Sequence, residues 1–383
     1  MYAFSEETRA IRELVRRLVD DFQMPLEARV LRGEKLTRAD YAPGRRAARE
    51  AGLWRLGVPQ DLGGAGLPLV TLLAITEENF RCLTPLRFGG RALPNLYGLQ
   101  GEQRERYLEP FLNDTKVLAF AQTEPGGGAD PAGAIQTFAR RQGDGDQDGD
   151  GGGWVLNGTK VFISNVADAD VVFVVARTDK AKRAGGISMF AVETGNPGMV
   201  RREIPMLGGF VTHELIFDDC RVPAHALVSS EGGGFRQAQQ ALSAARFDVA
   251  ARALGIAQRC LEMMIAYSKE RKVFGEPLAA LQATQSAIVD SWVEIQQNRL
   301  LVYRSAERHD AGEDTRVEAG MVKMTCTEMV DRVIDRAIQL YGAAGCALDN
   351  PLAHWYNHQR LARIYEGPTE LHKYRVLARH LLS

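Results

Sequence analysis

The hydrophobic pattern of this chain changes period twice, and that switch limits its fold more than any single motif. Residues 1 to about 117 read mostly as helices. Within Ala10–Val19, the residues Ile11, Leu14, Val15 and Leu18 form one stripe, with Arg and Glu opposite. Residues 118 to about 228 read as strands. Trp154–Lys160 reads as a strand running into a turn, and Val171–Val175, Ile187–Val192 and Glu214–Phe217 read as buried strands. From about 229 to the end the helical period returns. In Val249–Lys269, the residues Leu254, Ile256, Ala257, Leu261, Met264 and Ile265 give a broad apolar surface. The order predicts an α+β fold in three parts: helical 1–117, β 118–228, helical bundle 229–383. A Rossmann unit is excluded, because it needs alternating strands and helices and a Gly-rich first turn. No Walker A motif is present either.

Charge and cysteine usage narrow the class. With 47 basic and 48 acidic residues the formal net charge is -1, which points to neither nucleic acid nor an anionic membrane surface. The first residues lack the apolar segment of a secretory signal, and no apolar run reaches the ~18 residues of a membrane span. Cys82, Cys220, Cys260, Cys326 and Cys346 are scattered without a C-x-x-C pair, which fits buried free thiols in a reducing cytoplasm. Asp144, Asp146, Asp148 and Gly149 match half of a calcium loop, but Val155 stands where its closing Glu belongs. A hairpin tip is the expectation for 143–153. His354 and His358 share a helical spacing with no third ligand, so no metal site is expected.

Five stretches carry candidate chemistry. Gln122-Thr123-Glu124-Pro125 leads into Gly126-Gly127-Gly128-Ala129-Asp130, where glycines let a backbone approach a ligand and offer amide N–H groups to anionic oxygens. Lys160–Asn165 places Phe162 and Ser164 two apart, on one side of an extended strand, able to stack on a planar ring and bond its edge. Arg271-Lys272-Val273-Phe274-Gly275-Glu276-Pro277, followed by Gln282, puts a phosphate-competent Arg near a helix end. Gln339-Leu340-Tyr341-Gly342 opens a helix end to close approach. Tyr365-Glu366-Gly367-Pro368 sets a carboxylate between an aromatic and a Gly-Pro pair.

Taken together and in this order, these stretches resemble the acyl-CoA dehydrogenase family over essentially the whole chain. The resemblance implies that family's fold, non-covalent FAD, and α,β-dehydrogenation of a thioester. It implies that Gln122, Thr123, Phe162 and Ser164 contact the flavin. It also implies that Arg271, Phe274, Gln282, Gln339 and Gly342 reach the FAD of a neighbouring subunit, which requires a homo-oligomer, as the family's homotetramers are. Val222-Pro223 and Gly232–Phe235 match the family's exit from the β domain. Ala129, Arg246, Tyr365 and Gly367 fall at substrate positions, and Glu366 at that of the catalytic base. The Glu366 backbone N–H and a flavin hydroxyl would polarise the thioester carbonyl, and electrons would pass to an electron-transfer flavoprotein.

Three positions depart from the family pattern. Ala129 replaces a usual Ser, Phe162 a usual Trp, and Pro368 a common Thr. The alternative base position, just before Arg246, is Ala245; Asp248 is nearby at the wrong spacing. This counts against the monooxygenases of the same fold as well. The acyl pocket is expected to draw on Phe80–Tyr97, where Arg81, Arg87 or Arg91 is a candidate anchor for a dicarboxylic acyl group. An acyl-carrier-protein substrate, reoxidation by oxygen and a non-catalytic scaffold are the competing readings.

Overall fold

The computed structural model describes residues 2–90, 92–142 and 152–382. The helical, β, helical order is present. The chain forms two compact units, residues 1–88 with 243–383, and residues 89–242.

The sheet unit is built on β1 (Leu118–Ala121), β2 (Phe138–Arg141), β3 (Trp154–Ile163), β4 (Val171–Arg177), β5 (Ile187–Glu193), β6 (Met199–Pro205) and β7 (Val211–Val222). Their order is β1-β4-β2-β3-β7-β6, with β5 also paired to β4. β4 lies parallel to β1 and antiparallel to β5. Every residue of β4 is buried, which explains its unbroken apolar run: a strand covered on both faces has no solvent side to alternate with. β7 alternates instead over Glu214–Phe217, with only Leu215 and Phe217 buried.

β3 differs from its sequence expectation. Asn157-Gly158 is not a terminal turn; the register to β7 shifts there and the strand continues to Ile163. The Asn157 side chain pins this bulge, accepting from the Asp219 N–H at 2.9 Å. Gly158 is required, since a Cβ would lie 2.6 Å from the Thr137 Cα. The strands flanking the Asp-rich stretch, β2 and β3, pair antiparallel. Residues 143–151, with Asp144, Asp146, Asp148 and Gly149, lie outside the described residues.

The helical unit packs Gly234–Glu270 (from residue 243), Gln282–Asp310, Arg316–Tyr341 and Pro351–Ala362 around Phe247, Leu254, Cys260, Ile295, Val302, Val330 and Trp355. A second core joins Val15 and Leu18 of Glu6–Leu18 to Ile75 of Leu69–Asn79, so the stripe read in Ala10–Val19 faces inward. Cys82, Cys220, Cys260 and Cys326 are buried and free, whereas Cys346 is exposed, contrary to expectation. It follows the Tyr341-Gly342 break, where the core stripe ends. Among the described residues no helix is long and apolar enough to cross a membrane.

Gly255 shows how tightly helices meet here, since a Cβ would stand 2.1 Å from the Glu77 carbonyl oxygen. In an exposed helix, Gly→Ala gains about 1 kcal/mol. Here backbone must move, so Gly255→Ala is expected to lower stability, by roughly 1–3 kcal/mol as in other overpacked cores. Urea denaturation checks the sign.

Candidate active site

Glu366 sits where helix Pro351–Ala362 has ended and the chain turns back on itself. The Thr369 N–H bonds the Arg363 carbonyl at 3.2 Å and closes the turn. Pro368 disfavours a helical conformation for the residue before it, and Gly367 takes φ +94°. Glu366 itself is left-handed at φ +56°, a conformation that costs a side-chain-bearing residue about 1–2 kcal/mol.

Three basic side chains hold this turn by its carbonyls. Arg246 Nε donates to the Glu366 oxygen at 3.1 Å. His372 Nε2 lies 3.3 Å from the same oxygen. Lys323 Nζ donates to the Gly367 oxygen at 2.7 Å. Lys323 and His372 are both fully buried. Gly320 makes room for the ring, because a Cβ there would meet His372 Nδ1 at 2.9 Å.

One carboxylate oxygen is left open. Glu366 Oε2 is shielded from solvent and has no hydrogen-bond partner, and the Glu366 backbone N–H donates to no described residue. Burial raises the Glu366 carboxyl above its ordinary value; Arg246, Lys323 and Arg252 oppose the rise and Asp248 adds to it. Burial pushes Lys323 down to about 8, with Glu366 the largest opposing charge. His372 is pushed down to about 4 by burial, then by Arg246 and Lys323, so at neutral pH it is an uncharged ring. Asp248 is committed elsewhere. It pairs with Arg252 and accepts from Thr76 Oγ1 at 3.1 Å, while Arg252 lies over the Phe80 ring at 4.6 Å.

In the sheet unit, Gln122, Thr123, Phe162 and Ser164 are brought together by a buried ion pair. Lys160 Nζ donates to the Gln122 carbonyl at 3.0 Å and to Glu124 Oε1 at 2.8 Å. Glu124 also accepts from the Gln136 and Thr137 N–H groups at 2.6 and 2.9 Å. Burial alone would raise Glu124, yet Lys160 and those donors hold it below the ordinary value. The Val161 N–H bonds the Thr123 carbonyl at 2.9 Å, so the Gly-rich loop is tied to β3. Phe162 is 54% exposed and left-handed. Ser164 is exposed just past the end of β3, so the pair shares an exposed side at a strand terminus and not along a regular strand. Ala129 is exposed in the loop, a Cβ on Gly126 would meet open space, and Gln122 Oε1 is buried without a partner. An open backbone, an exposed ring and an orphaned amide oxygen fit a flat, polar-edged cofactor.

The other cofactor candidates cluster at one end of the helical unit. Arg271 follows helix Gly234–Glu270, and Phe274 tips a hairpin formed by Lys272–Val273 and Glu276–Pro277. Phe274 is fully exposed at 102% and left-handed. Gln282 begins the next helix and is exposed, and the Leu278 N–H bonds the Arg271 carbonyl at 2.8 Å. Gln339 and Gly342 stand at the end of Arg316–Tyr341. The Tyr267 and Tyr341 rings, stacked at 4.0 Å, bind that end to the Arg271 end. Of the candidate anchors, Arg81 pairs with Glu78 and Glu262, Arg87 lies over Tyr41 at 4.4 Å, and Arg91 lies outside the described residues. The His354 ring bonds the Leu348 carbonyl at 2.7 Å. Among the described residues no cluster of His, Cys, Asp and Glu is placed to hold a metal ion.

Models of the acyl-CoA dehydrogenase N-terminal, middle and C-terminal domains match residues 5–115, 119–220 and 232–382. The chain is 33% identical over 403 residues to (R)-benzylsuccinyl-CoA dehydrogenase of Thauera aromatica, covering 100% of this chain and 97% of that protein. It is 36% identical over 350 residues to the mitochondrial short-chain specific acyl-CoA dehydrogenase of Homo sapiens, covering 86% and 80% respectively. The structure of butyryl-CoA dehydrogenase from Megasphaera elsdenii superposes with a TM-score of 0.86 at 27% identity, covering 100% of both chains. An α+β chain with a β domain between helical domains and an acidic turn near its end is thus a flavoprotein oxidoreductase by class. It belongs to the acyl-CoA dehydrogenase family, FAD-dependent enzymes acting on acyl-CoA.

The sequence marked the stretches that hold Glu124 and Lys160 without giving either a role, and Lys323 and His372 stood in no candidate stretch. The available signal was a lysine in an apolar stripe: Lys323 continues the buried series Ala319, Val322, Cys326 and Val330. Two outcomes follow. Lys160→Met leaves Glu124 buried and unpaired, so urea denaturation is expected to show a loss of about 3–5 kcal/mol. For His372, the unfolded chain binds a proton near pH 6.5 and the folded chain only near 4. Stability from this ring is therefore complete above pH 6.5 and lost as pH falls toward 4. The loss is about 3 kcal/mol, which His372→Gln removes from the stability–pH curve.

Proposed function

We propose that the protein dehydrogenates a saturated acyl-CoA thioester to the 2-enoyl-CoA, with Glu366 as the base that takes the α-proton. The observation that carries this reading is the turn itself. Among the described residues, Glu366 offers a shielded, unpartnered Oε2 and an unengaged backbone N–H on the same residue. A base needs a free oxygen with a raised affinity for protons, and an enolate-like charge needs a donor. The neighbouring carboxylate, Asp248, is tied to Arg252 and Thr76, and position 245 is Ala, which leaves no rival base there.

FAD, when bound, supplies the acceptor for the β-hydride. This chain's residues do the rest. Gln122, Thr123, Phe162, Ser164 and the open Gly126–Gly128 backbone would hold the cofactor's ring system and its pyrophosphate, with Lys160 fixing the loop that leads into them. Arg271, Phe274, Gln282, Gln339 and Gly342 reach toward the cofactor of a second copy. The full exposure of Phe274 supports a contact of that kind. Ala129, Arg246, Tyr365 and Gly367 line the substrate, and the Glu366 N–H orients its thioester carbonyl. Closure over an apolar acyl chain desolvates the carboxylate further. Electrons then leave to an electron-transfer flavoprotein, and the active form is a homo-oligomer.

The decisive measurement is anaerobic bleaching of the bound flavin by a panel of acyl-CoAs, with short, long, branched and dicarboxylic chains. Bleaching by at least one is expected; none would overturn the reading. Glu366→Gln is expected to keep its yellow colour and lose roughly 10²–10⁴-fold in kcat. Because the base must be ionised, kcat/KM of the wild type falls as pH drops through the raised Glu366 value.

A further inference from the structure

We propose that Lys323, seconded by His372, is a positioning residue for the reaction: its ammonium grips the Gly367 carbonyl and steers the charge state of Glu366 without touching the carboxylate. This rests on Glu366 being the base.

A fully buried lysine ordinarily pairs with a carboxylate, because an uncompensated buried charge is costly. Lys160 obeys the rule, at 2.8 Å from Glu124. Lys323 does not. Its ammonium donates to a backbone oxygen, Gly367 O at 2.7 Å, and among the described residues it meets no carboxylate within ion-pair distance, although Glu366 is the largest favourable charge acting on it. Were the ammonium there only to fill space, an apolar side chain would serve at lower cost.

The carbonyl grip explains the geometry of the turn. Two successive left-handed residues put the Glu366 and Gly367 carbonyls within reach of donors from different parts of the unit: Arg246 on one helix, Lys323 on another, and His372 after the turn. Those donors spend their protons on main-chain oxygens. Glu366 Oε2 therefore keeps its lone pairs while standing in the field of nearby cations. Arg246, Arg252 and Lys323 favour the carboxylate, and Asp248 and burial oppose it. Around Lys323 the charged groups are Glu366, Arg246, Glu370 and Arg363; around His372 they are Arg246 and Lys323. Removing the Lys323 charge thus leaves Glu366 harder to ionise, while loosening the grip degrades alignment more than binding.

The test uses the FAD-loaded enzyme with Lys323→Met, Lys323→Gln (a neutral donor) and Lys323→Arg (a charged one), beside Glu366→Gln. The readouts are the acid limb of kcat/KM, kcat and KM apart, the flavin spectrum, and an infrared difference titration of the Glu366 carboxylate made without turnover. In Met and Gln variants the acid limb and the infrared midpoint are expected to move up by about one pH unit or more, a tenfold change in proton affinity. KM and flavin content are expected to hold within about threefold, a small change beside a tenfold one. Arg is expected to restore the limb. Lys323→Gln separates grip from charge. Recovery of kcat with a still-shifted limb supports both parts of the proposal. An unmoved limb and infrared midpoint in folded neutral variants would overturn it, as would neutral variants that all fail to fold while Arg behaves as wild type. Wild-type turnover in Glu366→Gln would instead remove the base assignment beneath it.

Discussion

A buried ammonium has to find oxygen, and two turns of this protein are built around that requirement. Lys160 finds the Gln122 carbonyl and Glu124, and so clamps the Gly-rich loop to β3. Lys323 finds the Gly367 carbonyl and so clamps the turn that carries Glu366. In water such hydrogen bonds would contribute little. Inside the protein, losing one leaves a charge stranded in a poor dielectric, and that asymmetry makes each turn hard to deform.

The two clamps differ in how charge is balanced. At Lys160 the counter-ion is in contact, with further N–H donors on Glu124, so the pair is closed and inert. Around Glu366 the charges are arranged but not joined. Arg246, Lys323 and the uncharged His372 ring all bind main-chain oxygens, and the carboxylate opposite the two cations keeps one oxygen open among the described residues. A left-handed Glu costs conformational energy, whereas Gly367 adopts that region freely. The surrounding donors offset that cost and hold the turn in its conformation.

Most of the fold was legible because period is a local property. The inward stripe of Ala10–Val19 and the unbroken run of β4 each announce their surroundings through five to ten neighbouring residues. The bulge at Asn157-Gly158 was not legible as such. An Asn-Gly pair ordinarily marks a turn, and here its pairing with β2 and β7, with Asn157 accepting from the Asp219 N–H, keeps the strand going. The candidate site was legible in its chemistry-bearing residues but not in their supports. Phe162, Ser164 and Glu366 stand in recognisable short stretches, whereas His372 acts only because Gly320, on another helix, leaves it space.

By itself the sequence determined the helical–β–helical order, the family, and a lone carboxylate between Tyr365 and a Gly-Pro pair, since all three depend on residue types at short spacing. Tertiary structure alone decided what that carboxylate experiences. Lys323 and Gly367 are 44 residues apart, and nothing in either neighbourhood says whether the lysine faces water or a carbonyl. Helix phase and packing settle it, because the same side chain is a solvated charge on one face of a helix and a buried clamp on the other.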